Sequence, residues 1–275
     1  MRVIRYFDLF SGIGGFRQAI TESRLTNVEF RPVGFCEIDV ACKNLYKYIF
    51  RPDLRTELLF SDVAEISTNG LKSGLPKFDL LMAGFPCQAF SNVGRRESFS
   101  DSRGKLFFEI VRLLRYYRPR FFILENVQKI ATIKRRSVLL EMVSALEDIG
   151  YFVNLWDLSA SSYGLPQKRR RIFFCGIDKR TVDKFPVLSQ PPQVPQNSWQ
   201  YPTVWHLLEK NADRKHYIPL KTRETVLRRN IKWMGDLQID RPIARPITAT
   251  MAKWHRANQD NYYSDTYISS SNNDP

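Results

Sequence analysis

The chain of 275 residues is long enough to bury one substantial hydrophobic core, with a smaller lobe beside it. Its net charge of +14 favours a polyanionic partner, and the basic residues concentrate near 134–136, 168–171 and 214–232. The four cysteines form no CxxC pair and only three histidines are present, which argues against a zinc site and a disulfide framework. From these residues we expect a protein of the reducing cytoplasm that binds no metal. The apolar runs are far shorter than the roughly 20 residues of a membrane-spanning helix, so we also expect no membrane partner.

Apolar runs alternate with helical stretches along the chain, which predicts a doubly wound α/β domain. One helical face begins at Leu106 and another spans 138–149, where Gly150 ends the pattern. In a parallel sheet of this kind the ligand crevice lies outside the carboxyl ends of the strands. The strand-like runs are 3–7, 33–36, 79–83, 121–124, 152–156 and 172–177.

The first strand-like run leads into a glycine-rich loop at 8–16. Its glycines let the backbone approach a ligand closely, although a tight strand-to-helix turn would use them too. Glu37 follows about 20 residues later, where dinucleotide-binding folds hold the ribose hydroxyls. The loop fits the dinucleotide fingerprint poorly and lacks the lysine of a P-loop. A nucleoside-bearing ligand without phosphates, such as S-adenosylmethionine, fits better.

Two further strand-like runs end on residues with reactive side chains. Pro86, Cys87 and Gln88 follow the run near 79–83, and Glu125 follows the run near 121–124. The fold would therefore bring a thiol and a carboxylate to one crevice. A thiolate nucleophile beside a proton-donating carboxyl group suits attack on an electron-poor ring.

These motifs, in this order, resemble those of the DNA (cytosine-5)-methyltransferase family of bacterial restriction–modification systems. The resemblance covers about residues 3–177, with a weaker match near 241–250. It rests on the loop at 8–16, the acids Glu37 and Asp62, the segments 84–91 and 101–108, the acid motif at 125–127 and the Gln-x-Arg-x-Arg motif at 167–171.

The resemblance implies a Rossmann-like S-adenosylmethionine-dependent methyltransferase domain at 1–177. A partial target-recognition region is expected at 178–267 and a polar tail at 268–275. Beyond a proline-rich segment near 186–202, tryptophans interleave with basic residues. That pattern suits nucleic-acid contact, and it equally suits a small lobe with its own aromatic core.

The resemblance also implies the chemistry. Cys87 would attack carbon 6 of a cytosine flipped out of duplex DNA, and Glu125 would hold ring nitrogen 3 and donate a proton. Arg169 would contact the base carbonyl oxygen, and Arg171 would organise the nucleophile loop. An inert buried thiol, a helix-capping acid and a phosphate-binding arginine cluster are the alternative interpretations. Contacts to DNA are expected from Gln88, Ser91, Arg103, Lys168 and Arg170.

The implied cofactor is S-adenosyl-L-methionine. Phe10 would stack on the adenine, Glu37 would bind the ribose and Asp62 would take the adenine amine. Ile38 stands where many family members carry tryptophan, which changes one wall of the adenine pocket. The other expected cofactor contacts are Gly12, Gly14, Pro86 and Leu106.

The family's last two motifs, a helix that braces the recognition lobe and an Asn-containing segment of the cofactor pocket, are not recognisable after residue 250. We therefore expect a truncated product, a fragment, or one half of a split enzyme whose partner is a second polypeptide with those motifs. Such a chain would have little activity alone. The alternative functions are a tRNA cytosine methyltransferase of the same family and a catalytically incomplete DNA-binding subunit. The sequence around Cys87 looks more like that of the DNA enzymes.

Overall fold

The computed structural model describes residues 1–23, 25–68, 74–86, 105–182, 191, 199–227, 239–247 and 260–270. The chain divides into two compact units. The first unit comprises Met1–Asp157 and Arg171–Pro191, and the second comprises Leu158–Arg170 and Pro192–Pro275. The assignment of catalysis to 1–177 and of target recognition to 178–267 remains a prediction.

A seven-stranded sheet forms the centre of the first unit. Its strands are β1 (Arg2–Leu9), β2 (Val28–Cys36), β3 (Leu58–Phe60), β4 (Leu80–Gly84), β5 (Phe121–Val127), β6 (Tyr151–Ser159) and β7 (Arg170–Asp178). The order across the sheet is β3-β2-β1-β4-β5-β7-β6. Neighbours from β3 to β5 run parallel, whereas β7 runs antiparallel to β5. All six predicted strands are present, and the parallel pairing of β4 with β5 is confirmed.

The helices of the first unit are α1 (Gly15–Thr21), α2 (Val40–Phe50), α3 (Lys105–Tyr117) and α4 (Ser137–Asp148). Both helices predicted from apolar spacing are confirmed as α3 and α4, and Gly150 follows α4 with φ of +90°. That left-handed conformation is the one in which glycine commonly terminates a helix. In the part of the chain that the structure describes, no helix is both long and apolar enough to cross a bilayer.

Apolar residues cover both faces of the sheet, because successive side chains of a strand point to opposite sides. Tyr6, Leu80 and Met82 form a cluster on one face, against which Phe16 and Ile20 of α1 pack. The larger cluster on the other face contains buried residues of β1, β4 and β5 together with those of α3 and α4. The doubly wound α/β architecture is therefore confirmed.

The second unit contains α5 (Leu220–Leu227), α6 (Asp265–Ser269) and several short 3-10 helices. Two of its tryptophans pack within the unit. Gly164, at φ of +82°, packs closely against Trp199. A Cβ at this position would lie 2.9 Å from the indole. The indole N–H of Trp205 donates to the carbonyl of Ile268 at 3.2 Å. These contacts match the interpretation of a small lobe with its own aromatic core.

Candidate active site

The carboxyl ends of β1 to β5 lie along one edge of the sheet because these strands are parallel. The predicted cofactor and catalytic residues of the first unit follow those ends. Phe10 follows β1, Glu37 follows β2, Asp62 follows β3, Pro86 follows β4, and Glu125 lies near the end of β5. We call this the carboxyl edge. It is where open parallel α/β sheets bind ligands.

The glycine loop, residues 10–14, turns sharply out of β1. Phe10, Gly12 and Gly14 all have positive φ, at +54°, +54° and +92°. The loop is attached to β2, because the amide of Ser11 donates to the carbonyl of Cys36 at 3.0 Å. A Cβ on Gly12 would meet nothing within 4 Å, whereas one on Gly14 would lie 2.1 Å from the Phe50 ring. Gly12 therefore faces open space, and Gly14 is required by packing.

The Glu37 carboxylate joins the glycine loop to α2. One oxygen accepts the amide of Gly12 at 2.7 Å, and the other accepts the amide of Asp39 at 2.8 Å. Asp39 in turn caps α2 by accepting the amide of Cys42. Asp62, half-buried, accepts the amide of Ala64 at 2.9 Å. Each carboxylate keeps further acceptor capacity at the carboxyl edge.

The surroundings of the loop fit a nucleoside-bearing ligand. The Ser11 hydroxyl oxygen is buried and has no hydrogen-bond partner among the described residues. Ile13, within the loop, and Ile38, next to Glu37, are large apolar side chains that remain exposed. Sequence reasoning missed Ser11 and Ile13, although both stand inside the motif that it recognised. Leu106 is half-buried against the main core, and Pro86 is exposed.

The catalytic candidates of the first unit meet at β4, β5 and β7. Glu125 pairs in register with Gly84 of β4, and a Cβ on Gly84 would lie 3.7 Å from a Glu125 carboxylate oxygen. Glu125 stands opposite Phe173, so Arg171 is its diagonal neighbour on the same face. The Arg171 Nε lies 2.7 Å from Glu125 Oε1, with side-chain exposures of 19% and 22%. The ion pair is therefore partly screened from water.

Asn126 fixes the chain that leads to Cys87. Its side-chain amide donates to the carbonyl of Phe85 at 3.2 Å, and its own carbonyl oxygen accepts the amide of Val127 at 2.8 Å. The side chain is almost completely buried, so both contacts are shielded from water. Sequence reasoning recognised the motif at 125–127 but gave Asn126 no role.

Four predicted site residues lie outside the described residues. They are Cys87, Gln88, Ser91 and Arg103. Of the described cysteines, Cys36 is buried and Cys42 and Cys175 are half-buried. Burial raises the pKa of the Cys36 and Cys175 thiols to about 12 and also raises the pKa of Cys42. These three thiols are therefore poor sources of a thiolate at neutral pH.

The remaining predicted residues belong to the second unit. Lys168, Arg169 and Arg170 are exposed. Their segment is held by backbone contacts within that unit, since the Lys168 amide donates to the carbonyl of Ala244 at 2.7 Å and the Arg169 carbonyl accepts the amide of Ala160 at 2.8 Å. Within the described part of the chain, no group of three or more His, Cys, Asp or Glu side chains could hold a metal ion.

The fold defines the class of protein. A seven-stranded sheet in this order, with parallel pairing from β3 to β5 and with β7 antiparallel to β5, is the fold of S-adenosylmethionine-dependent methyltransferases. The carboxyl edge of that fold carries the glycine loop and the acids described above.

The chain belongs to the C-5 cytosine-specific DNA methylase family, whose model matches residues 4–274. It is 38% identical over 191 residues to the type II methyltransferase M.NlaIV of Neisseria lactamica, a match that covers 66% of this chain and 43% of that protein. It is 34% identical over 215 residues to M.DsaV of Dactylococcopsis salina, covering 78% of this chain and 56% of that protein. The chain thus spans about half the length of these curated relatives. The family predicted from the sequence motifs is confirmed.

Two solved structures share the fold across most of the chain. The Entamoeba histolytica methyltransferase EhMeth superposes with a TM-score of 0.69 at 19% identity, covering 92% of this chain and 73% of that one. The S. pombe Dnmt2 methyltransferase superposes with a TM-score of 0.67 at 20% identity, covering 92% of this chain and 74% of that one. Identities this low support the fold alone.

Proposed function

We propose that this protein transfers a methyl group from S-adenosylmethionine to carbon 5 of cytosine in duplex DNA, in the cytoplasm. The observation that carries the proposal is the Glu125–Arg171 ion pair, which lies beside Gly84. Gly84 stands three residues before Cys87 in the chain. The ion pair supplies a carboxyl group of fixed orientation next to the start of the nucleophile loop. Family membership supports the same reaction.

Cys87 acts as the nucleophile. Its thiolate forms a bond to carbon 6 of the ring, and the electrons of the C5–C6 double bond make carbon 5 nucleophilic. Glu125 holds nitrogen 3 and delivers a proton there as negative charge develops. After methylation a base such as water takes the proton from carbon 5, and nitrogen 3 returns its proton to Glu125. The C5–C6 double bond then re-forms as the bond from sulfur to carbon 6 breaks, and Cys87 leaves as a thiolate. Because the ring is inaccessible in a duplex, the base must first be flipped out.

Arg171 keeps Glu125 oriented through its guanidinium, and Asn126 holds the backbone at Phe85. Preorganised contacts of this kind lower a barrier because no reorganisation is needed during the reaction. Arg169, which lies two residues before Arg171 in the chain, remains the candidate for the base carbonyl oxygen. Gln88, Ser91, Arg103, Lys168 and Arg170 remain candidates for contact with DNA.

S-Adenosylmethionine, when bound, supplies an electrophilic methyl group on a sulfonium centre. Glu37 and Asp62 would hold its ribose and its adenine amine, with Ser11 and the amides of the glycine loop beside them. Phe10, Ile38, Pro86 and Leu106 would supply apolar walls, and the open space at Gly12 leaves room for close approach.

Duplex DNA is the favoured substrate over tRNA. The curated relatives are named type II or orphan methyltransferases, and the type II name belongs to enzymes of restriction–modification systems. The net charge of +14 suits binding to a polyphosphate.

The experiment is a methyl-transfer assay with duplex DNA and tRNA in parallel, using labelled cofactor and identifying the methylated nucleoside by mass spectrometry. We expect 5-methylcytosine in DNA, at a low level with the chain alone, none in tRNA and none with Cys87→Ala. Cys42→Ala is the matched control and should retain transfer. Label in tRNA, or on another atom of a DNA base, would contradict the proposal.

A further inference from the structure

A buried charged cluster lies at the start of α1, the helix that follows the glycine loop. Arg17, at the start of α1, donates to both carboxylate oxygens of Glu57 at 2.5 Å and 3.1 Å. The two side chains are only 11% and 8% exposed. Bidentate pairing of this kind fixes orientation as well as charge. Because Glu57 immediately precedes β3, the pair ties α1 to that strand.

Two aromatic rings complete the cluster. The Arg17 guanidinium carbon lies 5.5 Å from the Tyr46 ring centre and 5.2 Å from that of Phe50, both within cation–π range. Arg17 also donates to the Tyr46 hydroxyl, which donates to the buried Asp8 carboxylate, each at 3.4 Å. Tyr46 is itself stacked on Phe35 with centroids 4.2 Å apart.

The same two rings support the glycine loop. A Cβ on Gly14 would lie 2.1 Å from Phe50 and 3.0 Å from Tyr46, so the loop backbone rests directly on them. Any shift of these rings therefore moves Gly14 and, through it, the Gly12 amide that meets Glu37. The position of the loop depends on the rings, and the position of the rings depends on Arg17.

We propose that Arg17 and Glu57 are positioning residues for the glycine loop. The ion pair holds Tyr46 and Phe50 against Gly14, and thereby keeps the loop in the left-handed conformation that presents Gly12 to the cofactor. The proposal rests on the proposed function for its ligand, S-adenosylmethionine. Both residues act on the loop through Tyr46, Phe50 and Gly14.

The chain offers a matched control for a purely structural role. Arg118 pairs with the buried Asp178 at 2.7 Å and lies 5.1 Å from the Tyr151 ring. Like Arg17, Arg118 is a partly buried arginine that pairs with a carboxylate, here beside one aromatic ring in place of two. Its contacts are with the segments around Ile149 and Asp178 and not with the glycine loop. Loss of Arg118 should destabilise the first unit without displacing the glycine loop.

The first measurement is hydrogen exchange by mass spectrometry, without cofactor, on wild type, Arg17→Met and Arg118→Met. We expect Arg17→Met to speed exchange of the amides of residues 11–14 by roughly tenfold or more relative to wild type. Arg118→Met should leave these amides unchanged and speed exchange near Gly150 and Lys179. Equal loosening of the loop in both variants, or none in Arg17→Met, would overturn the proposal.

The second measurement is cofactor binding by calorimetry on the same proteins. We expect Arg17→Met to raise the dissociation constant of S-adenosylmethionine about tenfold or more, and Arg118→Met to leave it within about twofold at temperatures where both are folded. Arg17→Lys, which keeps the charge but loses the planar fork, should fall between wild type and Arg17→Met. Unchanged affinity in Arg17→Met overturns the proposal.

If Arg17→Met does not fold, Arg17→Lys and Glu57→Gln are judged by the same exchange and binding criteria. Exchange is measured without cofactor, so it judges the positioning of the loop even if the wild-type chain binds no S-adenosylmethionine. That absence of binding would instead contradict the proposed function.

Discussion

The carboxyl edge has two halves that are organised differently. On the cofactor half, Glu37 and Asp62 are held by backbone amides that lie close to the ends of β2 and β3. On the base half, Glu125 is held by Arg171, a residue 46 positions later that reaches it from an antiparallel strand. Local backbone contacts thus shape the cofactor half, and a long-range ion pair shapes the base half.

Under the proposed function, this difference separates cofactor binding from the chemistry at the base. A carboxylate fixed by amides is a rigid acceptor, which suits recognition of hydroxyl and amino groups. A carboxylate that a guanidinium reaches from a neighbouring strand is held in one orientation, which suits transfer of a proton to a base bound beside it. Changes on the base half should therefore alter turnover, and changes on the cofactor half should alter affinity.

The largest effect is expected from Glu125→Gln. The amide keeps the shape of the side chain but cannot supply the carboxyl proton, and loss of general acid catalysis typically slows turnover by about 10²–10⁴-fold. Steady-state and single-turnover kinetics should show this loss, while DNA and cofactor affinities change little. Glu141→Gln, an exposed glutamate on α4, is the control. A matching loss of DNA affinity would indicate a structural role for Glu125 and would contradict the division between the two halves.

A smaller effect of the opposite kind is expected from Glu37→Gln. The amide cannot accept from both Gly12 and Asp39, and hydrogen bonds to charged groups contribute about 1.5–3 kcal/mol. The dissociation constant of the cofactor should therefore rise about 10–150-fold, while the turnover number at saturating cofactor changes much less. Calorimetry and kinetics measure the two quantities, with Glu29→Gln, whose half-buried carboxylate pairs with Arg31 on β2, as control. A fall in turnover alone would place Glu37 on the base half.

The smallest expected effect concerns the buried Asp8 beside the cofactor half, and it is a dependence of the free energy of unfolding on pH. Burial is the main cause that raises the pKa of Asp8 from its ordinary value to about 8. The hydrogen bond from Tyr46 and the charge of Arg17 lower this pKa in part, and the charge of Glu37 raises it further. Between about pH 4 and 8 the folded protein then holds a proton that the unfolded chain has lost. The free energy of unfolding should fall as pH rises, by up to about 1.4 kcal/mol per pH unit, and level off above about pH 8.

Denaturant unfolding at several pH values measures this dependence. Asp8→Asn cannot titrate, so its unfolding free energy should vary less steeply with pH than that of wild type between pH 5 and 8. Parallel curves for the two proteins would show that Asp8 is already ionised in the folded state at neutral pH.

Most of the sheet could be predicted because its buried strands are continuous apolar runs. The exception is β3, whose three residues follow the polar stretch that contains Asp53, Arg55 and Glu57 and pair with β2 at the edge of the sheet. A strand that short carries no periodicity. The antiparallel direction of β7 was not predicted either, because alternation of strands and helices does not determine how the last strands insert.

The sequence offered candidates where they stand in contiguous motifs, as at Glu37 and Glu125, and the fold places both at the carboxyl edge. Their roles stay predictions. The cluster of Asp8, Arg17, Tyr46 and Glu57 could not be predicted, because its members are brought together by the packing of α1, α2 and β3. The roles of Asn126 and the pairing of Arg171 with Glu125 likewise depend on strand register. The sequence motifs thus reveal the candidate groups, and the fold reveals the residues that contact Glu37 and Glu125.

The most direct test of the central claim is to trap the nucleophile. Duplex DNA that carries 5-fluorocytosine at the target site is incubated with the protein and S-adenosylmethionine, and the cross-linked peptide is sequenced by mass spectrometry. Fluorine cannot leave as the proton does, so the sulfur–carbon bond should persist and map to Cys87. An adduct at Cys36, Cys42 or Cys175, or methyl transfer without any adduct, would contradict the account.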